Sequence, residues 1–372
     1  MEIRHYLHAH PELSGNEINT RQFIVDFLKE HNANAIFEQP DNNAVMAVFN
    51  GSDKGRNVAF RCDIDALPIN ETNDVAYKSV NTGVAHKCGH DGHTAILLKV
   101  AQTLSQHRPA KGNVILVFQP EEETGKGAAK IVKSGKLDEL DVDMIFGFHN
   151  IPAFPWGEII TNDTTFAAAS CGFIANIQGR QTHAAHPENG LNPALAVAEM
   201  ITFLNDVNVK SNDIEHFRQA TLIYTRIGSI AFGTSAGDAD VMATLRTFTN
   251  TGMTSMVNII TEKFNDICKK HHLQVKYNLS DEFPAVENDL DCVKLIKRAA
   301  IEKNHHLTEL KEPFRWSEDF SQYLTKHKGA FFGIGAGENC PELHNPGYDF
   351  PDEIVDVGSN FCLDIFNLAQ QP

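Results

Sequence analysis

The sequence predicts an α/β protein whose larger domain is interrupted by a smaller α+β domain. Three observations support this prediction. The chain has 372 residues, which is more than one typical hydrophobic core accommodates. Apolar segments of strand length alternate with segments of helical period through about the first 150 residues, and this alternation returns near the C-terminal end. Between these regions, predicted strands and helices follow one another in a different order.

The first region contains three apolar runs that predict buried strands, because they are rich in β-branched or aromatic residues and bounded by turn or polar residues. These runs are NVAFRC (57–62), NVILVF (113–118) and DMIFGF (143–148). The segment TAILLKVAQTLSQH (94–107) places its apolar positions on one helical face, and GKGAAKIVKSG (125–135) predicts a weaker helix. Strands that alternate with helices in this way favour a mostly parallel sheet with helices on both faces.

The middle of the chain predicts the smaller unit. Its predicted strands are FAAASCGFIANIQG (166–179), TLIYTRIGSI (221–230) and DADVMATLRTF (238–248), and its predicted helices are LNPALAVAEMITFLNDV (191–207) and TSMVNIITEKFNDICKKHH (254–272). The larger domain resumes with a helix near 289–303, the strand GAFFGIG (329–335) and a last helix near 352–369. We therefore predict a discontinuous larger domain, residues 1–162 and 279–372, and an inserted domain, residues 163–278.

Composition narrows the classes of partner and compartment. The net charge of −16 argues against nucleic acid or an anionic membrane as the main partner. We see no apolar run long enough to span a bilayer and no signal-peptide core at the start, MEIRHYLHAHPEL. The seven cysteines are scattered and odd in number, which does not indicate a disulfide framework. The simplest expectation is a protein of a reducing, cytoplasmic compartment.

Polar residues that bind metals follow the predicted strands. Ligands of open α/β sheets bind outside the carboxyl ends of the strands, so these residues are expected to meet at one edge. They are Asp63 and Asp65, Glu121–Glu123, His149 and His344, and the segment HKCGHDGHTAILL (86–98) lies just before the first covering helix. Together, Cys88, His90, a glutamate, His149 and His344 form a mixed S, N and O set that suits zinc, manganese or another first-row divalent cation.

The number of ligands, five or six, exceeds one tetrahedral site, so a site for two cations is plausible. Asp65 is then expected to orient a ligand from the second layer. His93 lies three residues beyond His90 and is a further ligand candidate, although we favour a supporting role for it.

The same residues have two alternative interpretations besides a metal site. In one, Cys88 is a nucleophile and a histidine its base, but Cys88 and His90 are only two residues apart and no orienting partner stands out. In the other, Asp91 or Thr94 caps the helix, and the three glutamates form a solvated acidic turn. The metal reading depends on the convergence of several segments rather than on any one residue.

The same segments resemble the M20 metallopeptidase family, and particularly its amidohydrolases that cleave N-acyl and related conjugates of amino acids. The similarity extends over nearly the whole chain, from LHAHPELSGNE to the last helix. The motifs that carry it are RCDIDALP (61–68), HKCGHDGHTAILL, FQPEEETGKGA (118–128), GFHNIP (147–152), GRQTHAAHPENGLNP (179–193), SEDF (317–320) and LHNPGYDFPDE (343–353). The resemblance implies a zinc-peptidase-like mixed sheet with helices on both faces, and an inserted lid or dimerisation domain.

The resemblance also implies the role of each matching residue. The metal ligands would be Cys88, His90, Glu123, His149 and His344. Glu122 matches the family's general base, and His183, in THAAHP, matches a lid histidine that reaches the reaction centre. The expected cofactors are one or two divalent cations, zinc or manganese, with nickel and cobalt as further candidates. The expected assembly is a homodimer formed through the inserted domain, in which His183 acts within its own subunit or across the dimer.

One lid motif departs from the family. Relatives carry an asparagine and an arginine there that help to hold the substrate, often near its carboxylate. The arginine type is present as Arg246, a candidate substrate contact, whereas Gly233 stands near the place of the asparagine. Arg315 and Trp316 flank the SEDF match, and we assign them no role.

The function that these features predict is metal-dependent hydrolysis of an amide bond in an N-acyl amino acid or a similar small conjugate. Metal-activated water would attack the amide, Glu122 would serve as the general base, and His183 would stabilise the oxyanion. Asp65, the third predicted catalytic residue, would fix the orientation of a metal ligand. Two alternatives remain: a dipeptidase or carboxypeptidase of the same family, and a non-catalytic metal-binding or ligand-binding protein on the same fold. In each enzymatic case, the partner is a small amide or peptide.

Overall fold

The structure is a computed structural model, and it describes residues 2–39, 41–211 and 214–371. The chain forms two compact units. The larger comprises Met1–Phe166, Val286–Lys311 and Asp319–Pro372, and the smaller comprises Ala167–Ala285 and Glu312–Glu318. The smaller unit is therefore inserted into the larger one and also takes in a short returning segment.

The strands, in chain order, are β1 (Ala35–Gln39), β2 (Ala44–Asn50), β3 (Asp53–Asp63), β4 (Lys111–Gln119), β5 (Met144–Ile151), β6 (Ile159–Thr161), β7 (Ala169–Gln178), β8 (Thr182–His183), β9 (Arg218–Ile227), β10 (Thr234–Ser235), β11 (Asp238–Thr247), β12 (Gln274–Phe283), β13 (Leu307–Glu309) and β14 (Gly329–Gly335). The helices are α1 (Glu2–Ala9), α2 (Ile18–Glu30), α3 (His90–Gln106), α4 (Gly127–Ser134), α5 (Lys136–Glu139), α6 (Ala194–Asp206), α7 (Asn250–Lys270), α8 (Leu290–Glu302), α9 (Ser321–Leu324) and α10 (Glu353–Ala369).

The larger unit is built on a mixed sheet in the order β1-β2-β4-β3-β5-β14-β6-β13. Its four central strands, β4, β3, β5 and β14, are parallel to their neighbours within this group, so their carboxyl ends lie on one edge. Antiparallel pairs β1–β2, β2–β4 and β14–β6 flank this parallel centre. The parallel centre places the ends of the segments that carry the predicted ligands side by side.

Helices cover both faces of this sheet. One face packs against α2, α3, α8 and α10, whose apolar residues form a single core with alternate residues of β3 and β4 such as Phe60 and Leu116. On the other face, α4 packs against β4 and α9 against β14. Because the central strands are covered on both faces, their sequences are continuously apolar and β14 is buried along its whole length. The predicted fold class is thus confirmed.

The smaller unit contains an antiparallel sheet in the order β12-β7-β11-β9, with α6 and α7 packed on one face. Burial alternates along β11, as expected for a sheet with one covered face. Strand β9 is an edge strand and is largely exposed. Strands β8 and β10 form a separate two-stranded sheet.

Several predicted boundaries are wrong by three or four residues, among them the start of α7, which lies at Asn250 instead of Thr254. Helix α3 begins at His90, four residues before the predicted start at Thr94, because polar residues of its first turn are buried and hydrogen-bonded instead of facing solvent. Strand β9 covers Arg218–Ile227 instead of 221–230, since Gly228 adopts a positive φ of 56° and ends the strand. Within the described residues, the structure contains no helix long and apolar enough to cross a bilayer.

Candidate metal centre and active site

The site lies at the carboxyl edge of the parallel strands. Strand β3 ends at Asp63, β4 ends at Gln119 just before the three glutamates, and β5 carries His149 near its end. Helix α3 starts at the same edge, and His90 is its first residue. Four separate segments therefore deliver polar side chains to one place.

Gly89 allows the chain to turn sharply between Cys88 and His90. It occupies the N-cap position of α3 with φ of 100°, a left-handed conformation that favours glycine. A Cβ atom at Gly89 would lie 2.4 Å from Oδ1 of Asn150, so a larger residue would also collide with β5. The side chains of Cys88 and His90 can thus face the same edge from both sides of the turn.

The structure brings the five predicted metal ligands together. Sγ of Cys88 lies 3.4 Å from Nε2 of His149. Oε1 of Glu123 lies 3.9 Å from Nε2 of His90 and 3.5 Å from Nε2 of His344. Ligand atoms of Cys88, His90 and Glu123 all lie within 4.8 Å of one another. The group is chemically mixed, with one sulfur, three imidazoles and one carboxylate.

The site contains buried polar atoms without a hydrogen-bond partner, and two of them belong to predicted metal ligands. Nε2 of His90, Oε1 of Glu123 and Oδ1 of Asp65 are buried and have no hydrogen-bond partner among the described residues. Buried polar atoms are normally satisfied, so orphaned atoms that converge with a thiol indicate a ligand site. The donor set matches divalent first-row cations better than magnesium or calcium.

Asp65 contacts two of the predicted ligands and fixes their orientation. Its backbone carbonyl accepts a hydrogen bond from Nδ1 of His90 at 2.9 Å, which leaves Nε2 of His90 available as a ligand. Its Oδ2 accepts from the backbone N–H of Glu123 at 3.1 Å and from Oγ of Ser14 at 2.6 Å. Burial opposes ionisation of Asp65, but the nearby imidazole of His90, whose Nδ1 lies 3.3 Å from Oδ1, and the hydrogen bond from Ser14 outweigh it and lower the pKa of this carboxyl.

His93 lies beside the site with both ring nitrogens engaged. Its Nδ1 lies 2.6 Å from Oδ1 of Asp63, and its Nε2 lies 2.5 Å from Oδ1 of Asn150. Asp63 is in turn bonded by the buried guanidinium of Arg61 at 3.1 Å. Atoms of Asp63, His90, His93 and His149 also fall within 4.8 Å of one another. Asp63 and His93 already satisfy each other, whereas the group of Cys88, His90 and Glu123 contains buried atoms without a hydrogen-bond partner, so this second group is the stronger candidate metal site.

Glu121, Glu122 and Glu123 form a turn, here called the glutamate turn, directly after β4. Glu121 has a φ of 54°, and Glu121 and Glu122 are each less than one-tenth exposed. A left-handed non-glycine residue is uncommon and often marks a functional turn. The acidic turn is therefore buried against the site, which excludes the alternative of a solvated acidic loop.

A cluster of buried polar side chains, here called the polar hub, adjoins the glutamate turn and was not predicted from the sequence. It consists of Arg61, Gln119 and Asp319. Arg61 donates to Oε1 of Gln119 at 2.7 Å and to Oδ1 of Asp319 at 2.8 Å. Asp319 also accepts from Nε2 of Gln119 at 2.8 Å and from the N–H of Ala128 at 3.0 Å. The available signal was an arginine inside the apolar run NVAFRC, which an ordinary buried strand does not contain.

His344 is held by its backbone. Its φ is 65°, and its N–H donates to the carbonyl oxygen of Lys87 at 2.7 Å. The Lys87 ammonium is buried and donates to Glu71 and to the carbonyl oxygen of Tyr348, both at 2.7 Å. The two ligand segments 86–90 and 344–348 are thus fastened directly to each other.

Asp91 and Thr94 do not cap α3, because the N-cap position receives no side-chain hydrogen bond. Asp91 is buried and bonds Arg4 at 3.2 Å and His8 at 2.7 Å, so it anchors α1 to the start of α3. Thr94 donates to the carbonyl oxygen of His90 at 2.8 Å. The capping alternative for this segment is therefore wrong.

Burial and the nearby carboxylates of Glu123 and Glu122 raise the pKa of the Cys88 thiol well above its ordinary value. The edge thus concentrates acidic groups, the buried Asp65 and Glu122 and the partly buried Glu123, whose negative charge a cation would offset.

The smaller unit carries the remaining candidates. His183 is exposed on β8, where its Nδ1 accepts the N–H of Ala185 at 3.0 Å. Arg246 on β11 donates to the carbonyl oxygen of Arg315 at 2.7 Å and to Oγ of Ser317 at 3.0 Å, and it makes no ion pair within the described residues. A Cβ at Gly233 would meet nothing within 4 Å, so the backbone there does not require glycine.

Arg315 and Trp316 pack within the smaller unit. The guanidinium of Arg315 lies over the ring of Phe217, with 5.3 Å between its carbon and the ring centroid. The ring of Trp316 stacks on Phe314 with 5.0 Å between centroids. Both side chains therefore have packing contacts within the smaller unit.

Comparisons with known proteins identify the family and the fold. The sequence profile of Peptidase family M20/M25/M40 matches residues 59–367. An N-acetylcysteine deacetylase of Bacillus subtilis (strain 168) is 30% identical over 367 residues, covering 98% of this chain and 95% of that protein. An N-acetyl-L-cysteine deacetylase of the same strain is 30% identical, covering 97% and 86%. The crystal structure of a dinuclear metal-binding M20 peptidase of Bacillus subtilis superposes with a TM-score of 0.87 at 28% identity, covering 100% and 97%.

Proposed function

Because this chain belongs to peptidase family M20/M25/M40, we propose that this hydrolase cleaves the amide bond of a small N-acyl amino acid, with one or two divalent cations, zinc or manganese, as cofactors. The observation that carries the proposal is the convergence of the orphaned atoms of His90 and Glu123 with the thiol of Cys88. The supporting comparisons are relatives named for the deacetylation of N-acetylcysteine and a structural neighbour described as a dinuclear metal-binding peptidase.

Cys88, His90, Glu123, His149 and His344 would hold the cations. When bound, such cations act as Lewis acids that polarise the amide carbonyl and acidify water. Glu122 accepts the proton of the attacking water and delivers it to the leaving nitrogen, a role for which a carboxylate buried beside other carboxylates is suited. Asp65 holds His90 and the backbone of Glu123 in place, and His183 donates a hydrogen bond to the developing oxyanion.

Arg246 is proposed to bind the substrate's free carboxylate. It is an arginine without an ionic partner among the described residues, and its hydrogen bonds to Arg315 and Ser317 go to neutral oxygens. Burial lowers the pKa of this guanidinium, a cost that an anionic ligand would offset. An N-acyl amino acid carries such a carboxylate next to its amide, and a dipeptide carries an additional ammonium group.

We expect the metal-reconstituted protein to hydrolyse N-acetyl amino acids faster than the matching α-amides and faster than dipeptides with a free amino group. Arg246→Met should raise KM for the N-acetyl amino acid by ~10-fold or more and leave KM for its α-amide nearly unchanged, because only the first substrate offers a charge-assisted hydrogen bond. Release of acetate and release of amine, measured in parallel, give KM for each of the two substrates.

Arg226→Met is the matched control, because Arg226 also lies in the smaller unit but is already paired with Asp238 and Asp240. It should leave the preference between the two substrates intact. Faster cleavage of dipeptides would favour the dipeptidase alternative, and no cleavage by the fully metallated protein would contradict the proposed substrate class.

We also propose that the protein is a homodimer assembled through β9. This edge strand and the loop after it expose a group of apolar side chains, and Ile230 and Phe232 are fully exposed. The others are Leu222, Ile223, Tyr224 and Ile227. An apolar edge strand with unpaired backbone groups is an aggregation hazard unless another strand covers it. A second copy related by a twofold axis would pair with β9 in an antiparallel manner and extend the sheet.

Ile223→Lys should therefore convert a dimer into a monomer at micromolar concentration, because a buried charge at the centre of an interface costs about 2 kcal/mol or more. Sedimentation velocity measures the outcome. Leu195→Lys is the control, because Leu195 is 71% exposed on α6 of the same unit and lies outside β9. A wild-type protein that sediments as a monomer would contradict the proposed dimer.

All seven cysteines are unpaired. This supports the proposal of a reducing compartment such as the cytoplasm, where thiol ligands such as Cys88 stay available.

A further inference from the structure

The segment between α1 and α2 reaches the glutamate turn with two side chains. Glu17 is fully buried, and its Oε1 accepts the backbone N–H groups of Gly15 and Glu121, each at 2.9 Å. Its Oε2 accepts from Nδ2 of Asn43 at 3.2 Å. The carboxylate is thus surrounded by donors, and one of them belongs to the first residue of the turn.

The bond to Glu121 is made at the most constrained point of the turn. Glu121 holds a left-handed φ of 54°, which non-glycine residues keep only when surrounding contacts enforce it. An acceptor for its N–H is such a contact. The same conformation determines the direction in which the next two residues, Glu122 and Glu123, leave the strand.

Ser14 holds the same turn at its other end. Its hydroxyl donates to Oδ2 of Asp65 at 2.6 Å, and that oxygen also accepts the N–H of Glu123 at 3.1 Å. Residues 14 and 17 therefore fix the backbone of the turn on both sides of Glu122, directly at Glu121 and through Asp65 at Glu123.

The position of Glu17 in its own helix shows that this contact is specific. Glu17 is the N-cap residue of α2, but its side chain makes no capping hydrogen bond. Glu12 caps α2 instead, because its carboxylate accepts the N–H groups of Asn19 at 3.2 Å and Thr20 at 2.8 Å. Glu17 is thereby left to serve the glutamate turn.

We propose that Glu17 and Ser14 are positioning residues for the hydrolysis: they hold the glutamate turn so that Glu122 faces the water and Glu123 faces the cation. This inference rests on the roles proposed for Glu122 and Glu123. The groups act through the backbone of the turn and touch neither substrate nor cation.

The test is Glu17→Met, which keeps the volume of the side chain and removes the acceptor. We expect kcat to fall ~10–100-fold with little change in KM, and the affinity of the apoprotein for Zn²⁺ to fall ~10-fold, as for other groups that orient ligands. Glu17→Gln retains an oxygen that can accept both backbone N–H groups, so it should restore most of kcat and of Zn²⁺ affinity. Competition with a chelating dye measures the affinity without any substrate.

The matched control is Glu12→Met, which removes a glutamate of the same segment that also binds backbone N–H groups. It should lower Tm but leave kcat and Zn²⁺ affinity unchanged. Ser14→Ala, a milder change, should lower kcat in the same direction and serves if Glu17→Met does not fold.

The proposal is overturned if the folded Glu17 and Ser14 variants match Glu12→Met in both kcat and Zn²⁺ affinity. Glu122→Gln, measured alongside, distinguishes a failure of the positioning role from a failure of the proposed function. If Glu122→Gln is inactive while Glu17→Met behaves as the control, only the positioning role fails. If Glu122→Gln retains full turnover, the proposed function fails with it.

Discussion

Glu122→Gln is expected to reduce kcat by ~10²–10⁴-fold while the protein keeps its fold and its bound metal. The substitution is nearly isosteric, but a carboxamide cannot accept the proton of the attacking water at neutral pH. Glu122 lies in the glutamate turn beside the predicted ligand Glu123, and it is only 8% exposed. The measurement is single-turnover hydrolysis of an N-acetyl amino acid with the metal content determined on the same sample.

The neighbouring Glu121 provides the matched control. Its carboxylate pairs with the Lys130 ammonium, so its side chain is already engaged away from the ligands. Glu121→Gln removes the same charge from the same turn and should change kcat by less than ~10-fold, since proton transfer is left intact. If Glu121→Gln were as inactive as Glu122→Gln, the loss would come from the charge of the turn and the assignment of the base would be wrong.

The parallel centre of the large sheet could be predicted because burial on both faces makes its strands continuously apolar. The runs at 57–62, 113–118 and 329–335 are clear for this reason, and they correspond to β3, β4 and β14. Strand β12 was not predicted, because it lies at an edge and most of its residues are exposed and polar. Two-faced burial leaves a signal in the sequence, whereas an edge strand does so only where its residues are apolar or β-branched, as they are in β9 and are not in most of β12.

The site could be predicted at the level of motifs but not at the level of its supports. Cys88, His90 and His149 follow from strand ends and residue type. The hub of Arg61, Gln119 and Asp319 joins residues separated by 58 and 258 positions, so no local pattern reveals it. The strength of such a hub comes from burial and geometry, and these appear only when the chain has folded.

Helix α3 starts earlier than predicted for a similar reason, because buried polar contacts stabilise its first turn. Helical periodicity is recognised by apolar residues, but the first turn of α3 is made of His90, Asp91 and His93. All three are buried, and their hydrogen bonds to Asp65, His8 and Asp63 take the place of apolar packing. A buried polar turn has the same pattern in sequence as an exposed loop, so the predicted boundary moved to Thr94.

Cys88→Ala is expected to abolish measurable turnover and to weaken metal binding by ~100-fold or more, because the loss of a ligand should exceed the loss of a residue that merely orients one. Cys88 contributes the only sulfur among the proposed ligands, at 3.4 Å from Nε2 of His149. Reconstitution with Co²⁺ gives a direct readout, since a thiolate ligand produces a sulfur-to-metal charge-transfer band. That band should be present in the wild type and absent in Cys88→Ala.

Cys340→Ala tests whether this result is specific to Cys88. Cys340 is a free, half-buried thiol only four residues before the predicted ligand His344. Its removal should leave the charge-transfer band, the metal content and the turnover unchanged. Loss of the band in Cys340→Ala and its survival in Cys88→Ala would move the thiolate ligand to the other loop. Loss of turnover in Cys88→Ala with full metal content and an unchanged Co²⁺ spectrum would instead favour a chemical role for the thiol, the nucleophile alternative that the sequence left open. The cobalt spectrum and the turnover together therefore distinguish a ligand from a nucleophile at Cys88.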